Sequence, residues 1–174
     1  MSDRMPLIIE TFDAARHDRG SFTSGVAKAD NFLKLTANKL SKAGHLRIRV
    51  ATPDGESILG YHALNAASID CGELPAKFAR DSPSSHAVPA AYIAMIAVAK
   101  SHQGKGIGRL LLTDALKRAA LASEHVGMSI TMLDILDDGD EQAIEARHRL
   151  YSSFGFRSFQ ANHLKMWVPT KDVG

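Results

Sequence analysis

Gln103-Gly104-Lys105-Gly106-Ile107-Gly108 lies between an uninterrupted apolar run, Ala90 to Val98, and a segment in which Ile107, Leu110, Leu111, Ala115, Ala119 and Ala122 recur at helical spacing. The run reads as a buried strand and the segment as an amphipathic helix. Glycines just ahead of a helix let the backbone approach a ligand closely. Free N–H groups and the positive end of the helix dipole then favour a pyrophosphate.

Details of the loop narrow its ligand. A P-loop closes on Gly-Lys-Ser/Thr, and here Gly108 is followed by Arg109. A dinucleotide fingerprint needs GxGxxG, whereas Gly104, Gly106 and Gly108 form GxGxG behind a strand that lies mid-chain. The pattern Gln/Arg-x-x-Gly-x-Gly/Ala is met by Gln103, Gly106 and Gly108, and it resembles the acetyl-CoA loop of the GNAT N-acetyltransferases. The plain alternative is a glycine-rich strand-to-helix turn with no ligand.

The chain of 174 residues, 45% hydrophobic, can bury one substantial core and carries no Pro/Gly/Ser-rich linker, so one domain spanning 1–174 is expected. No stretch reaches the roughly 18 apolar residues of a membrane span. The opening Met1-Ser-Asp-Arg-Met-Pro has no signal-peptide core, so a cytoplasmic location is expected. A single cysteine, Cys71, allows no internal disulfide and has no base beside it in sequence, and the eight histidines show no zinc spacing. No metal is expected. Net charge is only +2, yet Lys28, Lys34, Lys39, Lys42, Arg47 and Arg49 stand against one acid, Asp30. Asp134 to Glu145 holds six acids and no base. That asymmetry could make one basic face, or simply a solvated helix and an acidic loop.

Strands and helices alternate along the chain. Strands are expected at Leu7–Glu10, Leu46–Ala51, Ser57–Ile69, Ala90–Val98, Ser129–Ile135, Phe156–Phe159 and His163–Val168. Helices are expected at Ala29–Ala43, closed by Gly44, at Ile107–Ser123 and at Glu141–Ser153, with a short helical piece near Lys77. Pro53-Asp54-Gly55 signals a hairpin turn. The fold class is α+β, a mixed sheet with a parallel βαβ step around the glycine loop.

Leu150-Tyr151-Ser152-Ser153-Phe154-Gly155-Phe156 resembles the FY-x-x-x-GF end of GNAT domains, with Leu150 in place of the commoner aromatic. The resemblance implies that Tyr151 faces the thioester sulfur. As a phenol of pKa about 10 it suits a general acid that protonates the departing coenzyme A thiolate. A tyrosine that merely packs its ring is the structural alternative. Gly155 is expected to end the helix in the left-handed conformation, with Phe154 and Phe156 in the core.

Further matches run over nearly the whole chain. Phe22-Thr-Ser-Gly25 with Ala29-Asp30-Asn31-Phe32-Leu33 is similar to the F-x-CG-x-x-x-LD-x-FL opening of the TacT-like acetyltransferase toxins, and Gly60-Tyr61-His62-Ala63-Leu64 to their GYY-x-L strand. Val88-Pro89-Ala90 and Ile96-Ala97-Val98 are similar to their VPA entry and LAV strand. Departures are Ser24 for cysteine, Met95 for arginine, Arg147 four before Tyr151 beside Ala146, and Asp134-Ile-Leu-Asp137 for a Val-Asp-Ala strand end.

This resemblance implies a GNAT toxin that acetylates the α-amine of aminoacyl-tRNA, a homodimer with a ribbon-helix-helix antitoxin as partner. Backbone N–H groups of Gln103, Gly104, Lys105, Gly106, Ile107 and Gly108 would hold the pyrophosphate of acetyl-CoA, with Lys105 and Arg109 adding charge. The strand edge at Ile96, Ala97 and Val98 would pair with the pantetheine amides, and an N–H near Val98 would polarise the thioester. The amine attacks directly and no base is assigned. His62 is a candidate for lining the acceptor cleft, and His102 is read as an exposed loop residue. Two other readings stay open: a GNAT acting on a small-molecule or protein amine, and a non-catalytic acyl-CoA-binding module.

Overall fold

The computed structural model describes residues 6–173; the Met1–Met5 opening read for a leader lies outside them. Strands β1 (Ile8–Thr11), β2 (Arg47–Thr52), β3 (Gly60–Asp70), β4 (Ala87–Val98), β5 (Ile130–Asp134), β6 (Arg157–Ser158) and β7 (Lys165–Pro169) form a mixed sheet in the order β1-β2-β3-β4-β5-β7-β6. The helices are α1 (Ala27–Asn31), α2 (Ala37–Lys42), α3 (Ala76–Ala79), α4 (Ile107–Ser123) and α5 (Glu141–Ser153). The chain groups into two compact units. No helix among the described residues is long and apolar enough to cross a membrane.

The first unit comprises the chain through Leu64 together with Met95–Asp114. Here β1, β2 and β3 are antiparallel, with Arg49 opposite His62 and Val50 opposite Tyr61. The helix expected over Ala29–Ala43 is broken: α1 and α2 flank a π-helical turn, Phe32–Thr36. Its Phe32 ring stacks on Tyr61 with centroids 6.3 Å apart, and Tyr61 donates its hydroxyl to the Ala29 carbonyl at 2.7 Å. Burial raises the Tyr61 pKa. Gly44, at φ 80°, ends α2 as expected, the His45 N–H returning to the Leu40 carbonyl. The strand expected from Ser57 starts only at Gly60, because Asp54 accepts the N–H groups of Glu56 and Ser57 and widens the turn.

The second unit comprises Asn65–Ala94 and the chain from Ala115 onward. β4 pairs with β5 in parallel from Ala90 and Ile130, and β5 pairs antiparallel with β7. Its core gathers Ile69, Leu74, Val88, Ala90, Ile130, Met132, Phe159 and Trp167. The segment between β3 and β4 is anchored by Phe78, whose ring meets Trp167 edge-on at 4.8 Å while Arg157 lies over Trp167 at 5.0 Å. β6 is shorter than the Phe156–Phe159 strand expected, pairing only Arg157 and Ser158 with β7. Asp140 caps α5 by accepting the N–H groups of Gln142 and Ala143.

Candidate active site

In the first unit the glycine loop is seated by packing beneath it. Ile96 and Val98, half-buried on β4, lie against Ala51, Leu59, Ile107 and Leu111, so the first turns of α4 sit directly on the sheet. Gly60 permits that approach. A Cβ there would stand 2.7 Å from Leu111 Cδ1 and 2.9 Å from the Ala97 carbonyl oxygen. Ala97 is buried, and the Ala99 N–H donates to the Leu59 carbonyl at 2.7 Å just past the strand end.

Gly104 and Gly106 adopt φ 75° and 85°, a backbone that side chains disfavour, and a Cβ on either would meet nothing within 4 Å. The glycines are thus needed for conformation, and the space above them is open. Immediately beyond begins the 17-residue helix α4, whose first N–H groups have no intrahelical acceptor. Lys105 and Arg109 are exposed on either side. Open glycines, a helix start and two cations fit a pyrophosphate. The Gln103 side chain does something else: its Nε2 donates to the carbonyls of Ser24 at 2.9 Å and Val98 at 3.1 Å. His102, read as exposed, is half-buried and bonds to Ser101.

His62 does not line a cleft. Positions 60 and 62 face α4, and His62, 1% exposed, donates from Nε2 to Asp114 Oδ2 at 2.8 Å. The same carboxylate takes Arg49 Nε at 2.7 Å and Nη2 at 3.3 Å. Burial alone would raise the Asp114 pKa, but the hydrogen bonds from His62 and Arg49 and their charges pull it down to about 2. Arg49 is thereby withdrawn from the basic segment, whereas Lys28, Lys39, Lys42 and Arg47 remain exposed. Neither Arg49 nor Asp114 belongs to a local motif; the β2–β3 register that sets Arg49 opposite His62 brings both to the Asp114 carboxylate.

In the second unit, Tyr151 stands three residues inside the helix stop. Gly155 adopts φ 92°, its N–H and that of Phe156 returning to the carbonyls of Ser152 and Tyr151 at 3.0 and 3.2 Å. This is the Schellman pattern, in which the residues at Tyr151 and Phe156 also pack together. Their rings meet at 6.2 Å and 60°. Phe156 is buried as expected, but Phe154 is only half-buried. Burial pushes the Tyr151 phenol up to about 12, against a lowering by Arg147, so the group holds its proton throughout the neutral range. Arg147 is clamped by the Leu136 carbonyl at 2.7 Å and Asp138 Oδ2 at 3.0 Å. The acidic segment is therefore partly consumed: Asp138 pairs with Arg147, Asp140 caps α5, and Asp134 accepts the Tyr92 hydroxyl.

Cys71 is less isolated than its sequence neighbours suggest. Its Sγ lies 3.6 Å from Nδ1 of His86, fifteen residues away. Among the described residues no cluster of His, Cys, Asp or Glu is arranged to hold a metal ion.

The mixed sheet, the glycine loop opening α4 and the tyrosine before the α5 stop define a class. The chain belongs to the acetyltransferase (GNAT) family, whose domain model matches residues 47–158. Within it, the chain is 44% identical over 167 residues to "Probable toxin TacT" of Sinorhizobium fredii, covering 95% of this chain and 92% of that protein. It is 30% identical to a "tRNA-acetylating toxin" of Mycobacterium tuberculosis over 90% of this chain and 88% of that one. The solved structure of AtaT complexed with acetyl-methionyl-tRNAfMet superposes with a TM-score of 0.80 at 26% identity, covering 97% of each chain.

Proposed function

We propose that this chain, acting as one domain over 1–174, is a toxin that transfers the acetyl group of acetyl-CoA to the α-amine of an aminoacyl-tRNA and so blocks translation. The observation that carries this reading is the 44% identity to a probable toxin across 95% of the chain, joined to an intact glycine loop and Tyr151. In this reading the chain is cytoplasmic, homodimeric and held in check by a ribbon-helix-helix antitoxin.

The loop residues Gln103 to Gly108 offer backbone N–H groups to the pyrophosphate, and Lys105 and Arg109 add charge. The edge of β4 at Ile96, Ala97 and Val98 pairs with the pantetheine amides, and an N–H near Val98 stabilises the oxyanion. When bound, acetyl-CoA supplies an activated thioester. An α-amine of reference pKa near 8 is about a tenth neutral at pH 7, so it can attack without a strong protein base. Tyr151 keeps its proton until charge develops on sulfur. Desolvation that raises the phenol raises the thiol in the same surroundings, so transfer between them stays feasible. The exposed Lys28, Lys39, Lys42 and Arg47 supply a surface for the polyanionic acceptor.

Incubating the purified chain with acetyl-CoA and charged tRNA tests the reading. We expect N-acetyl-aminoacyl-tRNA to form, and growth arrest on expression that Tyr151→Phe relieves. Unmodified tRNA together with harmless expression would sink it.

A further inference from the structure

Gln103 belongs to the loop by sequence, yet its side chain faces away from the loop's open space. The amide uses Nε2 to join two carbonyls from distant segments, Val98 at the end of β4 and Ser24 in the turn before α1. Ser24 is itself fixed from the other side: its N–H and hydroxyl both donate to Asp30 Oδ1, at 2.8 and 2.7 Å. Thr23 Oγ1 adds a 3.3 Å bond to Asp30 Oδ2, and the Lys100 N–H donates to the Thr23 carbonyl at 2.8 Å. Gly25, at φ 85°, completes this tight turn against the Lys100 side chain. An unbroken line of hydrogen bonds therefore runs from Asp30 on α1 through Ser24 to Gln103 and the end of β4.

We propose that Gln103 is a positioning residue, whose amide braces the glycine loop against the Ser24 turn and Asp30 so that the loop's N–H groups are preorganised for the pyrophosphate. Ser24 in place of cysteine suits this brace, because its hydroxyl is a better donor to a carboxylate than a thiol. The loop has two left-handed glycines, the residue type that loses most backbone freedom on being ordered. Every ordering cost not met in advance is subtracted from ligand affinity. The inference rests on reading the loop as the acetyl-CoA cradle.

The test is calorimetric binding of CoA to the intact chain, which requires no acceptor and no turnover. Gln103→Met keeps the length of the side chain and removes both donors. We expect it to weaken CoA binding by ~10-fold, the loss of about two modest hydrogen bonds. Asp30→Ala, remote from the ligand, should weaken it several-fold, whereas Asp30→Asn retains an acceptor for Ser24 and should bind as the wild type does. The double variant Gln103→Met/Asp30→Ala should be no weaker than the worse single variant within ~2-fold, since both cut one line. Multiplicative losses, an unaffected Gln103→Met, or an Asp30→Asn as weak as Asp30→Ala would each overturn the brace. A wild-type chain that fails to bind CoA would sink the cradle and the brace together. Thermal unfolding without CoA identifies any variant that has simply lost its fold.

Discussion

Asp114 on α4 and His62 on β3 share a 2.8 Å hydrogen bond, and the same carboxylate oxygen receives Arg49 from β2 at 2.7 Å. One acidic side chain thus pins the helix that follows the glycine loop to two neighbouring strands. Removing it takes the carboxylate from a buried imidazole and leaves the half-buried Arg49 guanidinium with the Ile9 carbonyl but no counter-charge there, so Asp114→Ala should cost ~3 kcal/mol in urea unfolding. A loss below ~0.5 kcal/mol would show the network to be ornamental.

The same group sets an acid limb. Its folded pKa of about 2 lies below the ordinary 3.8, so its contribution is complete above pH ~4 and disappears as pH falls through about 2. The contribution is ~2 kcal/mol. Unfolding free energy followed from pH 5 to pH 2 should fall more steeply for the wild type than for Asp114→Asn, and parallel curves would contradict this.

Tyr151→Phe keeps the ring against Phe156 and removes only the hydroxyl. Acetyl transfer should drop by ~10²-fold or more with thermal stability within ~1 kcal/mol of wild type. With the phenol at about 12, the wild-type rate should show no loss from Tyr151 deprotonation between pH 7 and 10. A basic limb near pH 9 that vanishes in Tyr151→Phe would assign the wrong pKa to this group.

Gly60→Ala places a methyl group 2.9 Å from the Ala97 carbonyl oxygen, backbone that cannot swing aside as Leu111 Cδ1 can. Overpacking of this kind costs ~1–3 kcal/mol. Because the first turns of α4 would lift where the loop runs into the helix, CoA affinity should fall along with stability. Unchanged affinity in a folded Gly60→Ala variant would separate the loop from the packing beneath it.

Charge reversal at Lys28, Lys39 and Lys42 should weaken tRNA binding and leave CoA binding intact. Each lysine that meets a phosphate should lower the slope of log affinity against log salt by roughly 0.7–0.9. An unchanged slope in the triple variant would move the acceptor surface elsewhere.

Much of this could be read along the chain. Gly44, Gly104, Gly106 and Gly155 adopt the left-handed backbone that their places in the pattern require, and Ala90–Val98 forms strand ahead of α4. What escaped was non-local or subtle. One extra residue per turn in Phe32–Thr36 leaves the apolar spacing of a helix nearly intact, so a π turn is invisible to periodicity. β4 starts at Ala87, three residues before the expected Ala90, and Pro89 is tolerated inside it because the ladder with β5 begins only at Ala90 and requires no N–H of proline on that side.

Local chemistry is legible wherever a residue's own backbone or near neighbours set its state, as with the helix stop that places Tyr151 and Phe156 ring to ring. Side-chain partners are another matter. Gln103 reads as part of a pyrophosphate motif, but its amide finds Ser24 at a separation of 79 residues; His62 reads as a cleft residue, but Asp114 lies 52 residues away and takes it inward. A hydrogen bond is selected by which donors and acceptors the packed strands and helices bring within about 3 Å, and that proximity exists only once the chain is folded.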